Sequence, residues 1–148
     1  MILHTARFGD LDGPTLYALL RLRVDVFVVE QQCPYPELDG RDLSPSTVHV
    51  WLTDGGPPAA YLRLLAEPDG VFRIGRVCTL SSHRGRGLSA RLVTAALDLV
   101  GDRPCVLDAQ SYLVGFYTRF GFTATGPEFV EDGIPHVPMR RDPASAPL

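Results

Sequence analysis

The stretch Val77-Cys78-Thr79-Leu80 runs through Ser81-Ser82-His83 into Arg84-Gly85-Arg86-Gly87-Leu88-Ser89. A β-branched, apolar run gives way there to a Gly/Arg/Ser loop. Leu88, Leu92, Ala95, Ala96 and Leu99 then recur at helical spacing. Gly101 stands where such a helix is capped, and Cys105 to Ala109 reads as a short apolar strand. The order strand, Gly-rich loop, helix, strand is a βαβ unit, which makes its two strands parallel. Helix N-termini carry unpaired N–H groups and about half a positive charge, and Gly85 and Gly87 let a ligand approach the backbone. Arg84 and Arg86 add charge and forked donors, so the loop suits a pyrophosphate. It lacks the Gly-Lys-Ser/Thr ending of a Walker loop and the glycine spacing of a dinucleotide fingerprint. A plain helix entry with convenient glycines is the competing reading.

Upstream, Val48 to Thr53, Ala60 to Ala66 and Val71 to Leu80 read as strands. Asp54-Gly55-Gly56-Pro57-Pro58 and Pro68-Asp69-Gly70 turn between them, which predicts an antiparallel meander. Arg63 falls on the face opposite Leu62 and Leu64. Earlier still, Ile2 to Phe8 is a strand, and Asp12-Gly13-Pro14 starts a helix with Leu16, Leu19, Leu20, Val24 and Phe27 on its buried face. That helix must end before Cys33-Pro34. Pro34 to Pro45 is a polar loop, longer than most connections and so a functional candidate. Downstream, Ser111 is placed to cap a helix carrying Leu113, Phe116, Tyr117 and Phe120, with Gly121 stopping it. Phe122 to Thr125 and His136 to Arg140 finish as strands. The predicted class is α+β (mixed α/β): a central mixed, mostly antiparallel sheet flanked by about four helical segments.

With 148 residues, the chain has the length of one domain at ~100–200 residues each. Residues 1–141 are expected to form it, and Asp142 to Leu148 reads as a flexible tail. Apolar residues at 45% and charged residues at 21% exclude a disordered or fibrous chain. No apolar run approaches a membrane span, and Met1 to Asp10 lacks signal-peptide character. Fourteen basic residues, every one an arginine, oppose seventeen acidic ones. An acidic chain without a basic run is a poor nucleic-acid binder, so neither nucleic acid nor membrane is expected as a partner. Cys33, Cys78 and Cys105 are odd in number and lack metal or redox spacing, which points to reduced thiols and a cytoplasmic location. His4, His49, His83 and His136 show no metal-ligand spacing, so no metal is expected.

Arg84-Gly85-Arg86-Gly87-Leu88-Ser89 after Val77-Cys78-Thr79 resembles the acyl-CoA-binding motif of the GCN5-related N-acetyltransferases (GNAT), Gln/Arg-x-x-Gly-x-Gly/Ala, with Ser89 at the last position. Gln110, Tyr117 and Gly121-Phe122 resemble the family's Asn-x6-Tyr-x3-Gly-Phe arrangement, Gln110 standing where Asn is usual. Val26-Phe27-Val28-Val29-Glu30-Gln31, Pro34-Tyr35, Asp39-Gly40 and Glu131-Asp132-Gly133-Ile134-Pro135-His136 resemble the ElaA-type branch. These blocks span residues 16–140.

The resemblance implies a sheet splayed into a V at the Val77–Thr79 strand. Acetyl-CoA would be the cosubstrate, with backbone groups of Val77, Cys78 and Thr79 pairing its pantetheine arm. Arg84, Gly85, Arg86, Gly87, Leu88 and Ser89 would hold its pyrophosphate, and Gln110 would belong to the same cofactor site. A strand N–H near Cys78 would polarise the thioester carbonyl. The implied reaction is direct acetyl transfer to an amine, borne by a small molecule or a protein, in a ternary complex. A homodimer is compatible with the resemblance. The alternative is a non-catalytic acyl-CoA sensor or partner protein.

Transfer needs a neutral amine, a stabilised carbonyl and a protonated leaving thiol. Tyr117 is the candidate acid, because a phenol of pKa ~10 stays protonated at neutral pH; a core aromatic is the bland alternative. Glu30 is the candidate base, at the end of an apolar run where burial would raise a carboxylate's pKa. His49 and His136 are candidate substrate-binding residues. Glu37, Asp39, Asp42, Glu128, Glu131 and Asp132 would form an acidic rim attractive to a cationic amine.

Overall fold

The computed structural model describes residues 1–143, and residues 144–148, most of the expected tail, lie outside the described residues. The strands are β1 (Ile2–Ala6), β2 (Val48–Thr53), β3 (Pro58–Ala66), β4 (Phe72–Thr79), β5 (Cys105–Gln110), β6 (Thr123–Ala124), β7 (Phe129–Glu131) and β8 (Ile134–Arg141). They form one sheet in the order β1-β2-β3-β4-β5-β8-β6, with β7 pairing β8. The β1–β2, β2–β3 and β3–β4 pairings are antiparallel, the last two as their Gly/Pro turns require, and β4 and β5 are parallel, as their crossover requires. The helices are α1 (Gly13–Val24), α2 (Leu88–Val100) and α3 (Val114–Thr118), and a π-helical turn over Asp25–Glu30 continues α1.

Helix α2 starts at Gly87 and ends at Gly101, whose N–H reaches Leu97 O at 3.0 Å. Its Leu88, Leu92, Val93, Ala96 and Val100 are buried against Val50, Leu62, Leu64, Leu107 and Met139 of the sheet. Each such aliphatic side chain stabilises the packing by ~1.5–3 kcal/mol. The opposite face of the meander is covered as well. Leu19, Leu22, Val26 and Phe27 of α1 and its continuation pack there on Trp51, Tyr61 and Cys78. Helix α1 begins as its residues dictate, with Asp12 Oδ1 accepting the Thr15 N–H at 2.7 Å. Its most buried face differs from the expected one, because Arg23 is only 1% exposed.

Three further details depart from the sequence reading. β1 stops at Ala6, before a short turn over Phe8–Asp10. Ser111 does not cap α3; its hydroxyl donates to Glu128 Oε2 at 2.9 Å, and α3 starts after a turn over Ser111–Leu113. β7 was not expected, and it makes the Glu131–Ile134 segment a hairpin rather than a loop.

One sheet feature positions the site. β4 and β5 pair only at Phe72–Cys105 and Arg73–Val106. Beyond those residues β4 continues to Thr79 and β5 to Gln110 without a ladder between them. The edges of two central strands are thereby left facing a wedge. β4 is also bulged: Tyr61 pairs with Cys78 and Arg63 with Gly75, so Arg76 and Val77 together oppose Leu62. Arg76 carries the bulge at φ +55°.

Candidate active site

The wedge opens into a cleft of about 1210 Å³. Val77, Cys78 and Thr79 line one wall, Leu107, Asp108 and Gln110 the other, and Arg84, Gly85, Gly87, Leu88 and Ser89 its end. Gly85 and Gly87 have φ of +78° and +73°, a region open mainly to glycine. The turn they make aims the start of α2 at the cleft. The first intrahelical bond there is from Arg91 N to Gly87 O, so the N–H groups of Leu88, Ser89 and Ala90 precede the ladder. Ser89 fits its position, because its hydroxyl bonds Thr79 Oγ1 at 3.0 Å and ties the helix start to the strand end. Arg86 is exposed and does not line the cleft, which leaves Arg84 as the loop arginine in it.

Arg84 is not free. Its Nη1 lies 2.7 Å from Glu30 Oε2 and its Nη2 donates to Glu30 Oε1 at 2.8 Å, while its Nε donates to Thr79 O at 3.1 Å. Glu30 lines the cleft, as expected of it. Both its oxygens are engaged by one guanidinium, however, and it is exposed rather than partly buried. The conditions under which a carboxylate becomes a base are therefore absent.

Tyr117 reaches the cleft from α3 while being only 5% exposed. Its ring stacks on Phe116 at 5.0 Å and meets the edge of Phe122 at 6.1 Å. Its hydroxyl has no hydrogen-bond partner among the described residues. Burial, assisted by Tyr112, pushes the phenol well above its ordinary pKa. Core residue and site residue are here the same side chain. Cys78 is 4% exposed, and burial pushes its thiol up to about 12.

The remaining wall holds Tyr35, Arg63 and Arg76, none of them a catalytic or binding candidate from the sequence, joined by Asp39. Behind them, Arg23 Nε lies 2.8 Å from Glu37 Oε1, and its Nη1 and Nη2 donate to Asp42 at 2.8 and 3.2 Å. Arg63 grips Asp39 with two bonds, at 2.9 and 2.5 Å, and reaches Asp42 at 3.1 Å. Arg76 Nε lies 2.8 Å from Glu37 Oε2, and the Tyr35 hydroxyl donates to that same carboxylate oxygen. Three arginines thus balance three carboxylates, with Arg23, Arg63, Glu37 and Asp42 buried and Arg76 and Asp39 at the network's outer edge. Hydrogen bonds from Arg63 hold the Asp39 carboxyl well below its usual range against a smaller effect of burial. Burial works to raise Asp42, but Arg23 and Arg63 outweigh it and keep the acid low.

Two expectations fall with this network. His49 does not reach the cleft. It is 2% exposed, with Nε2 donating to Asp42 O at 3.3 Å and Nδ1 accepting from the Tyr61 hydroxyl at 2.6 Å. Its face of β2 is covered by α1, so an alternating strand position that reads as surface is core. The acidic rim is also largely absent. Glu37 and Asp42 are buried and paired, Asp39 is held by Arg63, and Glu128 lies off the cleft. Among the described residues, only Glu131 and Asp132 of that set line the cleft without an ion pair. The arginine on the otherwise apolar β3 and the acid-rich loop were the signals available for finding this network.

His136 lines the cleft beside Gln110, its register partner on β5. Its Nδ1 lies 2.8 Å from Ile134 O, and its ring stacks on Phe129 at 5.8 Å. Cys33 Sγ donates to Asp132 O at 3.0 Å and joins the 31–35 loop to the β7–β8 turn. Among the described residues no cluster of three or more His, Cys, Asp or Glu is arranged to hold a metal ion, and no helix is long and apolar enough to cross a membrane.

Residues 22–143 match the family model for the acetyltransferase (GNAT) domain. A UPF0039 protein of Mycobacterium tuberculosis is 59% identical over 136 residues, covering 89% of this chain and 87% of that one. The crystal structure of Escherichia coli ElaA superposes with a TM-score of 0.90 at 36% identity, covering 95% of this chain and 99% of that one. An acyl-CoA N-acyltransferase from Pseudomonas aeruginosa superposes at 0.87 with 45% identity and the same coverage.

Proposed function

Because the chain belongs to the GNAT acetyltransferase family, a family of acyltransferases, we propose that it moves the acetyl group of acetyl-CoA directly onto an amine. The observation that carries this reading is the wedge between β4 and β5, with the unpaired N–H groups of α2 at its end and the partnerless Tyr117 hydroxyl beside it. The chain's groups fit the donor. The N–H groups of Leu88, Ser89 and Ala90 suit a pyrophosphate. The unladdered edge of β4 from Val77 to Thr79 offers backbone partners to an amide-bearing arm. Gln110 stands across the wedge, and the bulge at Arg76–Val77 turns backbone out of the sheet where a thioester carbonyl needs a donor.

Direct transfer is favoured over an acyl-enzyme by Cys78. A thiol pushed up to about 12 by burial holds almost no thiolate at neutral pH, and the thiolate is the nucleophile. Tyr117 supplies a proton to the departing sulfur. Glu131 and Asp132 are the unpaired charges left to attract a cationic amine, on a small molecule or a protein. A cytoplasmic location belongs to the same reading, supported by three cysteines that are all free thiols.

Calorimetric titration with acetyl-CoA, with CoA and ATP as controls, is expected to show micromolar binding of both CoA species and no competition by ATP. Turnover of an amine panel then follows. Binding without turnover of any amine would favour a sensor, and no binding by folded protein would overturn the reading. The loop is tested separately by Gly87→Val. A β-branched residue does not tolerate φ +73°, and no protein atom lies within 4 Å of the added Cβ, so the side chain stands in the anion's approach. CoA affinity is expected to fall at least about tenfold, ~1.4 kcal/mol, with the fold retained and the melting temperature lowered by a few degrees through the backbone strain. Undiminished affinity would remove the loop from the binding site.

A further inference from the structure

We propose that His136 is the general base of the transfer, with its Nε2 taking the proton from the acceptor nitrogen. The role presupposes that the chain acetylates amines, as proposed above. A backbone carbonyl can only accept, so the 2.8 Å contact of His136 Nδ1 with Ile134 O puts a proton on Nδ1. The neutral ring then carries its lone pair on Nε2, which has no partner among the described residues. Phe129, stacked at 5.8 Å and 23°, holds the ring plane. One ring nitrogen is anchored and the other is unpartnered in a residue that lines the cleft, which is how a protein presents an imidazole as a base.

Position agrees with the role. On β5 and β8, Leu107, Ala109 and Met139 face the core that includes Tyr117. Gln110 and His136 pair in register one residue out of step with these, so they occupy the opposite face. The candidate acid and the candidate base therefore reach the wedge from opposite sides of the sheet. An acceptor entering on the His136 side meets the carbonyl from one direction while the thiol leaves toward Tyr117. Two other carboxylates of the cleft are already committed, while Glu131 and Asp132 on the neighbouring hairpin line it unpaired and are assigned to attracting the amine. Glu30 is held by Arg84, and Asp108 accepts from Arg73 at 3.2 Å. The charged cleft groups on the elements around His136 are Asp108 on β5, Glu131 and Asp132 on the β7–β8 hairpin, Arg73 and Arg76 on β4, and Arg119 beyond α3.

The step balances. The lone pair of the neutral amine forms the N–C bond and the carbonyl π pair moves to oxygen. The N–H bond breaks with its electrons left on nitrogen and its proton on His136 Nε2. When the carbonyl re-forms, the C–S bond breaks with its pair on sulfur, which takes the Tyr117 hydroxyl proton. His136 releases its proton to solvent and Tyr117 regains one, so the products are an amide and a free thiol.

Turnover by the wild type is the entry test, and its absence with every amine would sink the acetyltransferase reading itself. With the wild type active, His136→Gln is expected to lower kcat about 10–10²-fold at pH 7, with acetyl-CoA affinity unchanged. The loss should narrow as pH rises and hydroxide replaces the base. Imidazole should restore activity to His136→Ala. Retained kcat, or a loss equal at every pH with no imidazole rescue, would overturn the assignment. Nitrogen NMR of the wild type gives a check independent of any variant: the neutral ring should carry its proton on Nδ1, and an Nε2–H tautomer would overturn it too.

Discussion

Tyr117→Phe is expected to cut kcat by about 10²–10³-fold, the loss typical of a missing general acid, while leaving acetyl-CoA affinity and the unfolding temperature near wild type. The substitution removes one oxygen and nothing else. The ring contributes to the core through Phe116 and Phe122, and phenylalanine keeps both contacts. The hydroxyl has no hydrogen-bond partner among the described residues, so its removal orphans none of them. Burial holds the phenol protonated far above neutral pH, so it is a donor throughout the working range and adds no descending limb to the rate profile below that point. A free thiol has a pKa of ~8.5, so sulfur leaving without a proton is not prohibitive and some activity should remain. The kcat of the variant, measured at saturating acetyl-CoA and amine, decides the matter. An unchanged value would return Tyr117 to a purely packing role. A loss of CoA affinity instead would make the hydroxyl a binding group.

The parts legible in the sequence are those whose chemistry is local. The meander was readable because each strand ends in a Gly/Pro turn, and α2 because glycines punctuate both its ends. The same glycines specified an anion cradle, since a Gly-rich entry after a strand sets a helix start, but the wedge itself was expected only through the family resemblance. The wall of Tyr35, Arg63 and Arg76 was not readable in this way. Arg23 sits on a helix whose periodicity assigns charged residues to the outside, and its partners Glu37 and Asp42 lie in a loop that sequence alone calls solvated. Only the fold brings them within hydrogen-bond distance, and only because α1 covers the second face of the sheet. His49 was misplaced for that reason, and the pairing of Glu30 with Arg84 was missed because an ion pair between residues 54 apart leaves no local pattern. β7 escaped notice because a three-residue exposed strand has no period to detect.

Arg23→Ala is expected to destabilise the protein by about 3–5 kcal/mol, the cost of leaving a buried charge without its partner. This is a large fraction of the ~5–15 kcal/mol that holds a typical domain together. Arg23 is 1% exposed and Glu37 4%, so water cannot replace the lost guanidinium without opening the α1 face. Replacement with methionine should recover the packing but not the charge balance, and so should help little. Acid pH separates the charge from the packing. Asp39 and Asp42 are held below their unfolded values by Arg63 and Arg23. The stability they contribute is therefore present above the usual carboxylate pKa of ~4 and is lost as pH falls below it. Asp39 is held by Arg63 in both proteins, but Arg23→Ala has less of the Asp42 part to lose, so the gap between them should shrink as pH falls from about 5 to about 3. Urea unfolding of both proteins across that range measures it. A deficit below about 1 kcal/mol at pH 7 would reduce the network to the value of a surface ion pair. The same variant reports on function. Glu37 is shared by Arg23, Arg76 and Tyr35, so its release should loosen the Tyr35–Arg76 wall of the cleft. The donor loop is on other elements and should be spared. Because Arg76 sits in the β4 bulge assigned to the thioester, kcat should fall along with the loss of stability, and an unchanged kcat in the folded variant would confine the network to a structural role.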